Sequence, residues 1–447
     1  MSILSERLER AYYVLSGDDS DERACAAIPD SACTALPRNY LLNVGNGACT
    51  KLAEQIAGPN LVLPWLLGAL GAPASIIGLL MPVKQFAALL PQLFVAGRIR
   101  SVARRKWVWT AAGLIQAVAL LVIAAAALVL PPLAAGVVVL AVFALFSAAS
   151  GTGSVAFQDV AAKTVPKGRR GRMLSNRAMI GGVLTMAAGL VIQRWVGADS
   201  AVVTYTLPVV VAAGLWALAA VLFAAIREHP GATEGGRRLA DEIGAGVRLF
   251  ARVSGYRRFL GVRALLLSVE LAMPFYALYA QSLFDNGAAV LGLFVLTVGL
   301  GNVLSSPVWG RFSDRSSRTV LIASGCLAAA IAVVALAIGA LPQAWRSPWL
   351  YAVVFVLLGI AEQGVRLGRK TYLVDAAPAD DRPLYVAFAN TGVGVLALAG
   401  GVVGAVVQFH GVEVAIMVLG VLSVLGALLG LMMPEAERML AGTADAA

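Results

Sequence analysis

Residues 310–318 read GRFSDRSSR and stand between two long apolar stretches. The run combines three arginines, an aspartate and three serines in a 447-residue chain that is 59% hydrophobic and only 13% charged. The mean hydropathy of the chain is +0.81. This composition lies outside the range of soluble globular domains and is typical of an integral membrane protein. The charged run is therefore predicted to be a short loop between two membrane spans.

Apolar runs of the same length recur from one end of the chain to the other. An α-helix needs about 20 such residues to cross roughly 30 Å of hydrocarbon, whereas the alternating segments of a membrane β-barrel are absent from the sequence. We predict an all-α integral membrane protein with twelve transmembrane helices in two six-helix pseudo-repeats. The spans are expected near residues 40–64, 74–97, 107–130, 133–157, 174–194, 203–226, 260–281, 288–309, 319–341, 349–374, 384–408 and 412–433.

The run at 310–318 has an earlier counterpart, GRIRSVARR at 97–105, so that Gly97 and Gly310 lie 213 residues apart. A second pair of features lies after the fourth and tenth spans, where Pro166 and Pro378 are 212 residues apart. Two features at nearly one offset indicate a duplicated six-helix unit. Repeated units with a site at their interface are the architecture of alternating-access transporters.

A long hydrophilic connection, residues 227–258, separates the two predicted units. The domains are therefore predicted as a first half at 40–226 and a second half at 259–434. The connection itself has a helical period and is expected to contain a surface helix. Residues 1–39 form a predicted N-terminal segment with a short amphipathic helix, and residues 435–447 form a tail.

The basic residues are distributed unevenly between the two sets of loops. Of the 35 lysines and arginines, only Arg194 and Arg346 fall in one set, and Lys51 and Lys84 lie within spans. The others lie in, or at the edge of, the opposite set, which includes both termini. The positive-inside rule then predicts cytoplasmic termini in a bacterial inner membrane. The net charge of +10 reflects this topology and contact with anionic lipid, and it predicts no nucleic-acid partner.

Four residues of the opening run, Gly310, Asp314, Arg315 and Arg318, give the pattern G-x-x-x-D-R-x-x-R. This pattern resembles the loop signature between spans eight and nine of the major facilitator superfamily. Asp159 and the segment around Pro166 similarly resemble that superfamily's loop after the fourth span. With twelve spans divided six and six, the resemblance covers the chain beyond about residue 39.

The resemblance implies a transporter whose gating residues lie at these loops. The implied gating positions are Gly97, Arg105, Asp159, Gly310, Asp314, Arg315 and Arg318. The first-half copy departs from the signature, because Ser101 stands at the acidic position and Val102 at the arginine. The fifth span also lacks the Gly-Pro motif of drug/proton antiporters, which disfavours a multidrug exporter.

The first span is unusual in carrying charged and amide side chains near its middle. On a helical wheel, five polar residues share one side and Leu41, Leu52 and Ile56 occupy the other. The five are Asn43, Asn46, Thr50, Lys51 and Glu54. Lys51 and Glu54 are three residues apart, so they could form a static ion pair. Alternatively, this face lines a cavity and contacts the substrate.

Charged side chains also lie within three other predicted spans. Lys84 is in the second span, Glu270 in the seventh, and Glu362, Gln363 and Arg366 in the tenth. A charge at the centre of a membrane helix costs roughly 3 kcal/mol or more, so such residues are functional by default. We predict that Lys84, Glu362, Gln363 and Arg366 contact the substrate together with the polar face of the first span. Arg369 and Lys370 are expected to reach the membrane surface.

Proton coupling is predicted at Glu270, with Glu54 and Glu362 as further candidates. Glu270 is the first choice because no cationic residue lies three or four positions away on its own helix. In the fourth span the run SAASGTGS, residues 147–154, suits either close helix packing or hydrogen bonding to a substrate. Counting three cations against three acids, the predicted cavity is electrically balanced and suits a polar, zwitterionic or anionic metabolite.

These observations predict a monomeric secondary active transporter of a small polar or charged molecule, coupled to protons. A proton-coupled efflux antiporter is the alternative, and a non-transporting receptor or scaffold with the same fold is a further one. The sequence argues against an enzyme, because His229 lies in the central loop and His410 near an outer surface, so no histidine-based relay is evident, and no phosphate-binding loop is present. No metal or cofactor is expected. Cys25 and Cys33 have a spacing that matches no usual metal-ligand pattern.

Overall fold

The structure, a computed structural model, describes residues 3–16, 35–100, 102–195, 202–230, 239–284, 287–313, 315–378 and 382–439. Throughout these residues the regular elements are helices. They are α1 (Ile3–Ser16), α2 (Leu36–Ile56), α3 (Val62–Ala69), α4 (Ala74–Arg100), α5 (Lys106–Val129), α6 (Pro132–Thr164), α7 (Lys167–Trp195), α8 (Val202–Ala224), α9 (Leu239–Arg252), α10 (Ser254–Leu265), α11 (Leu267–Leu283), α12 (Ala288–Ser313), α13 (Ser317–Ala340), α14 (Pro348–Ala376), α15 (Arg382–Ala399), α16 (Gly401–His410) and α17 (Val412–Leu431), with short 3₁₀ turns at Gln343–Trp345 and Ala436–Arg438.

All twelve predicted spans fall on these helices. The first, seventh and eleventh spans are each divided in two, as α2 with α3, α10 with α11, and α15 with α16. Within the described residues, nine helical segments are long and apolar enough to cross a membrane, and residues 74–89 and 289–305 add two shorter apolar stretches. The prediction of an all-helical membrane bundle is confirmed, and the expected number of twelve spans is consistent with it.

The first span is broken at a glycine and a proline. A Cβ atom at Gly58 would lie 2.1 Å from the carbonyl oxygen of Glu54, so a larger residue does not fit there. Pro59 has no N–H to continue the helix. Helix α2 therefore ends at Ile56, two residues after Glu54, and the span resumes as α3.

In the seventh span the division lies at Leu266, between α10 and α11. Pro274 lies inside α11, which continues through it. Because proline has no N–H, the carbonyl of Glu270, four residues earlier, lacks its usual helical donor.

The two halves repeat the same helix packing. In the first half α2 packs on α7 and α8, α4 on α6, and α5 on α6 and α8. In the second half the corresponding spans pack in the same pairs, which are α10–α11 with α15 and α17, α12 with α14, and α13 with α14 and α17. The duplicated sequence features therefore accompany a duplicated packing scheme.

The halves meet through α7 with α12 and through α4 with α15 and α16. Glycines allow close approach: a Cβ at Gly78 would lie 2.6 Å from the Cα of Gly404, and one at Gly189 would lie 2.6 Å from the backbone nitrogen of Leu296. In addition, Nε2 of Gln281 donates to the carbonyl of Trp65 at 2.9 Å. These contacts lie on the side of the bundle that carries Leu130 and Arg346, which we call the distal side because it is opposite the termini.

The N-terminal helix α1 packs beneath the first half, against α2 and α7. Tyr12 is buried and packs edge-to-face on Tyr40, with the two ring centroids 5.3 Å apart. Nδ2 of Asn176 donates to the carbonyl of Leu15 at 2.7 Å. The amphipathic helix thus places its tyrosine against the bundle. Cys25 and Cys33 lie outside the described residues.

Candidate functional site

Lys51 and Glu54 form an ion pair in the last turns of α2, with 2.9 Å between Nζ and Oε2. Their side chains are 44% and 40% exposed although they lie midway through the bundle. The pair stands immediately before the break in the first span. Both of the proposed roles, ion pair and cavity lining, are therefore compatible with its geometry.

The other polar residues of the first span lie in helix contacts. Asn43, Asn46 and Thr50 are buried. Nδ2 of Asn46 donates to the carbonyl of Ala219 in α8 at 2.9 Å, and Oγ1 of Thr50 donates to the carbonyl of Gly47 at 3.1 Å. The carbonyl of Asn43 accepts from Arg177 at 2.8 Å. The predicted polar face therefore divides, one edge packing on α7 and α8 and the other carrying Lys51 and Glu54.

Glu270 lies between the two halves and is paired. Its Oε2 accepts from Nε2 of Gln85, in the first half, at 2.9 Å. Nη1 of Arg369, in the tenth span, lies 2.9 Å from its Oε1. The Glu270 side chain is only 5% exposed. The expectation that Arg369 reaches the membrane surface is wrong, because the buried carboxylate attracts it.

Sequence reasoning also missed Gln85 as a partner of Glu270. The available signal for Arg369 was its position on the wheel, 20° from Glu362, which places it on the polar face of the tenth span. For Gln85 the sequence contains no such signal, because the contact depends on how α4 packs against α11.

The tenth span carries a second acidic group. Glu362 forms an ion pair with Arg366 one turn later on α14. Nε2 of Gln363 donates to Oδ1 of Asn302 in α12 at 3.0 Å. Glu362 is nearly buried, whereas 37% of the Arg366 side chain is exposed. Arg366 is thus the member of this pair that is open to a ligand.

Lys84 connects the charges of the two halves. It is attracted electrostatically by Glu54 in the first half and by Glu362 in the second, and it is repelled by Arg366. Lys84 makes no hydrogen bond or ion pair with any residue that the structure describes. The deepest part of the bundle therefore holds one charge cluster to which both halves contribute.

We call this set the central charge cluster. Its members are joined by the ion pairs above and by electrostatic attraction of Arg177 to Glu54 and of Arg263 and Lys370 to Glu270. The cluster consists of Lys51, Glu54, Lys84, Arg177, Arg263, Glu270, Glu362, Arg366, Arg369 and Lys370. Seven cations face three acids, so the expected balance of charge is wrong. The sequence-based count assigned four of these cations to the ends of their helices.

The small residues of the fourth span serve helix packing. A Cβ at Gly151 would lie 2.0 Å from the backbone oxygen of Ala88 in α4. Oγ of Ser147 donates to the carbonyl of Phe143, and Oγ1 of Thr152 donates to that of Ala148. Of the two roles left open by the sequence, these contacts favour close packing.

A second charged group lies at the terminal side of the first half. Arg105 and Asp159, both expected at the gate, form an ion pair. Nζ of Lys163 lies 2.6 Å from Oδ2 of Asp159 and 3.2 Å from Oε1 of Glu228. Glu228 also accepts from the backbone nitrogens of Arg105 and Lys106 at 3.0 and 2.8 Å. Its fully buried carboxylate therefore caps the N-terminus of α5.

The second half has a looser equivalent around Glu435. Its Oε2 accepts from Oγ of Ser316 at 2.9 Å, and its Oε1 lies 3.4 Å from Nη1 of Arg318. Ser316 in turn caps α13 by accepting from the backbone nitrogen of Thr319. Arg315 is exposed. Asp314 lies outside the described residues.

The two glycines of the gating motif lie within helices, because α4 and α12 extend past Gly97 and Gly310. Glu228 and Glu435 were not anticipated from the sequence. A signal exists: each acid follows the last span of its half and stands near a proline, and the two are 207 residues apart. The repeat could therefore have pointed to both acids.

Comparisons with known proteins agree with this architecture. Residues 259–444 match the family model described as Major Facilitator Superfamily. Over 428 residues the chain is 26% identical to the uncharacterized proteins Rv2209 of Mycobacterium tuberculosis and Mb2232 of Mycobacterium bovis, an alignment that spans 92% of this chain and 80% of each relative.

Several solved structures share the fold. A peptide transporter POT in complex with sulfate matches with a TM-score of 0.68 and 13% identity over 94% of this chain and 99% of that one. A D-xylose-proton symporter gives a TM-score of 0.65 and 15% identity over 90% and 98%. The nucleoside transporter NupG gives 0.61 and 14% over 88% and 98%. The second half of the chain thus matches the family expected from the loop motifs, and the chain as a whole shares the fold of these solved transporters and is a multi-pass membrane protein.

Proposed function

We propose that the chain is a secondary active transporter that moves a small polar or charged molecule across the bacterial inner membrane by alternating access, coupled to protons through Glu270. Solved structures with this fold include a nucleoside transporter, a peptide transporter and a D-xylose-proton symporter. Those activities support transport as the general class. The observation that carries the proposal is the position of Glu270 between Gln85 of the first half and Arg369 of the second.

The Glu270 carboxylate is suited to couple proton binding to movement of the halves. When it is ionised, it holds Arg369 and accepts from Gln85, so one charge links α4, α11 and α14. Protonation removes that charge and weakens the ion pair with Arg369. The arginine is then a buried cation without its acidic partner, which favours a conformation that supplies another anion. Glu54 and Glu362 are secondary proton sites in this scheme, because each already has a cation on its own helix.

The arrangement of the halves supports alternating access. Their close glycine contacts lie on the distal side, while Lys51, Glu54 and Arg366 are well exposed midway through the bundle. We take the cavity to open toward the termini, which the basic loops place in the cytoplasm. Rocking of the halves would then separate Gly78 from Gly404 and open the distal side.

The test measures proton movement in proteoliposomes that contain the purified protein and an internal pH-sensitive dye. Sugars, nucleosides, amino acids and organic acids are added outside in turn. A substrate of a proton symporter acidifies the interior, and Glu270→Gln abolishes this signal while Glu413→Gln, the same change at an exposed distal position, leaves it intact. Undiminished proton uptake in Glu270→Gln contradicts the coupling role.

The same recording separates the alternatives. An efflux antiporter alkalinises the interior when its substrate is added outside, so the sign of the pH change distinguishes export from uptake. A receptor or scaffold with this fold gives neither signal although a ligand binds. Fusion of a reporter to each terminus tests the cytoplasmic orientation, and light scattering of the purified protein tests the proposed monomer.

A further inference from the structure

We propose that the substrate is a small organic anion bearing a carboxylate or phosphate group, held between Lys84 and Arg366. This inference rests on the proposed transport function and specifies its substrate class. It starts from the central charge cluster, in which cations outnumber acids by seven to three.

Each acid of the cluster already has its own cation. Glu54 pairs with Lys51, Glu270 with Arg369, and Glu362 with Arg366. The remaining four cations are Lys84, Arg177, Arg263 and Lys370. None of these four forms an ion pair with an acid among the described residues. The cluster therefore retains a positive excess after its internal pairs are counted.

Two of the four have contacts with neutral groups. Arg177 donates to the carbonyl of Asn43, and its guanidinium lies 4.3 Å from the ring centroid of Phe157. Arg263 donates to Oδ1 of Asn390 at 2.7 Å. Lys84 has no such contact with the residues that the structure describes. An unpaired ammonium deep in the bundle is costly, and a bound anion is the ligand that removes the cost.

The position of Lys84 makes it suitable as a substrate contact. It comes from α4 in the first half, and Arg366 comes from α14 in the second, yet both interact with Glu54. An anion held by both would contact the two halves at once. Only a ligand whose contacts differ between the two states of the halves can shift their equilibrium.

The chemistry of the two side chains fits carboxylate and phosphate groups. A guanidinium can donate two parallel hydrogen bonds to either group, and an ammonium adds a compact charge. A cleft lined by one sign of charge also concentrates ligands of the opposite sign. Lys370, which is exposed on the same face as Arg366, extends this positive surface toward the termini.

The test uses matched compounds that differ mainly in charge. Thermal stability of the purified full-length protein is recorded with glucose 6-phosphate against glucose, succinate against succinamide, nucleoside monophosphates against nucleosides, and 1,4-diaminobutane as a cation. A ligand that binds the folded state raises its apparent stability. We expect stabilisation by at least one anion and none by its neutral partner.

Variants then locate the site. Lys84→Gln weakens binding of that anion by about tenfold or more, a loss of one charge-assisted contact. Lys84→Arg retains binding, and Arg346→Gln, which removes a positive charge on the distal side, has no effect. Stabilisation only by neutral or cationic compounds, or by none of the panel, overturns the proposal, as does anion binding that is unchanged in Lys84→Gln.

Flux of the same compounds keeps the two proposals distinct. Transport of a neutral compound without anion binding leaves the transport function standing and removes the anion assignment. If an anion binds in a way that depends on Lys84 but no flux occurs in proteoliposomes, the anion site stands and the transport function is contradicted.

Discussion

The fourth and tenth spans occupy equivalent places in the two halves and differ sharply in chemistry. At the offset that relates Pro166 to Pro378, Glu362 corresponds to Ser150. Around Ser150 the fourth span carries small residues that pack against α4, whereas the tenth span carries Glu362, Arg366 and Arg369. The duplication has thus kept the packing of the helices and left the charges of the tenth span without a counterpart in the fourth.

The physical reason is the space available on each helix. Gly151 brings the backbone of α6 so close to α4 that a side chain cannot enter. On α14, Gly364 makes the close approach, to Ser324 and Trp309, while Glu362 and Arg366 lie on a different face. The first half supplies its charges from α2, α4 and α7 instead.

The largest expected effect comes from the charged tenth span. Arg369→Gln leaves the nearly buried Glu270 without its cation, which should lower the free energy of unfolding by about 3–5 kcal/mol. The double variant Glu270→Gln with Arg369→Gln should recover most of this loss because no charge remains unpaired. Thermal unfolding of both in the same detergent provides the measurement. If the single and double variants lose the same free energy of unfolding, the unpaired Glu270 carboxylate is not the cause of the loss.

The stability of the protein should depend on the size of the side chains in the closely packed fourth span. Gly151→Ala forces a Cβ against the backbone of Ala88, and overpacking of this kind costs roughly 1–3 kcal/mol. Gly214→Ala is the matched control, since nothing lies within 4 Å of its added Cβ. Unfolding temperatures of the two variants should therefore differ, with only Gly151→Ala lowered. A lowered value for Gly214→Ala alone would contradict the packing described.

The charged groups at the terminal side offer a second comparison between the halves. Glu228 is fully buried and accepts from two backbone nitrogens and Lys163, so Glu228→Gln should cost about 1.5–3 kcal/mol. Glu435 is 44% exposed, and Glu435→Gln should cost about 1 kcal/mol or less. Chemical unfolding of the two variants measures the difference. Similar losses in the two variants would mean that Glu228 and Glu435 contribute equally to stability.

The smallest effect is expected at Asn46. Its hydrogen bond to Ala219 joins two membrane helices, and such bonds average about 0.6 kcal/mol, so Asn46→Ala should lower stability only slightly. Substrate affinity should not change, because the side chain is buried against α8. If Asn46→Ala lowers substrate affinity and leaves stability unchanged, Asn46 contacts the substrate, as the sequence predicts.

The fold could be predicted from the sequence because it depends on local signals. Span length, the distribution of basic residues and the repeated loop motifs predicted the helices, and each predicted span falls on one helix or on two consecutive ones. The break after Glu54 is also local, since Gly58 and Pro59 cause it. These features require only the chemistry of neighbouring residues.

The site was predicted only in part because its partners come from different helices. Lys51 with Glu54 and Glu362 with Arg366 are one turn apart and were expected. Gln85 and Arg369 reach Glu270 from distant parts of the chain, so sequence spacing did not indicate them. A helical wheel places Asn46 on the polar face of the first span. It cannot show that α8 packs over that edge of the face.

Alternating access is the central claim, and distances between spin labels test it most directly. In protein whose four native cysteines are replaced by serine, one label pair at Leu130 and Arg346 reports the distal side and another at Arg172 and Asp375 reports the terminal side. In lipid nanodiscs, Glu270→Gln should lengthen the first distance and shorten the second in part of the population, because the charge that links Gln85 and Arg369 is lost. The account is contradicted if each label pair gives one distance population that is the same in the wild type and in Glu270→Gln and does not change with pH.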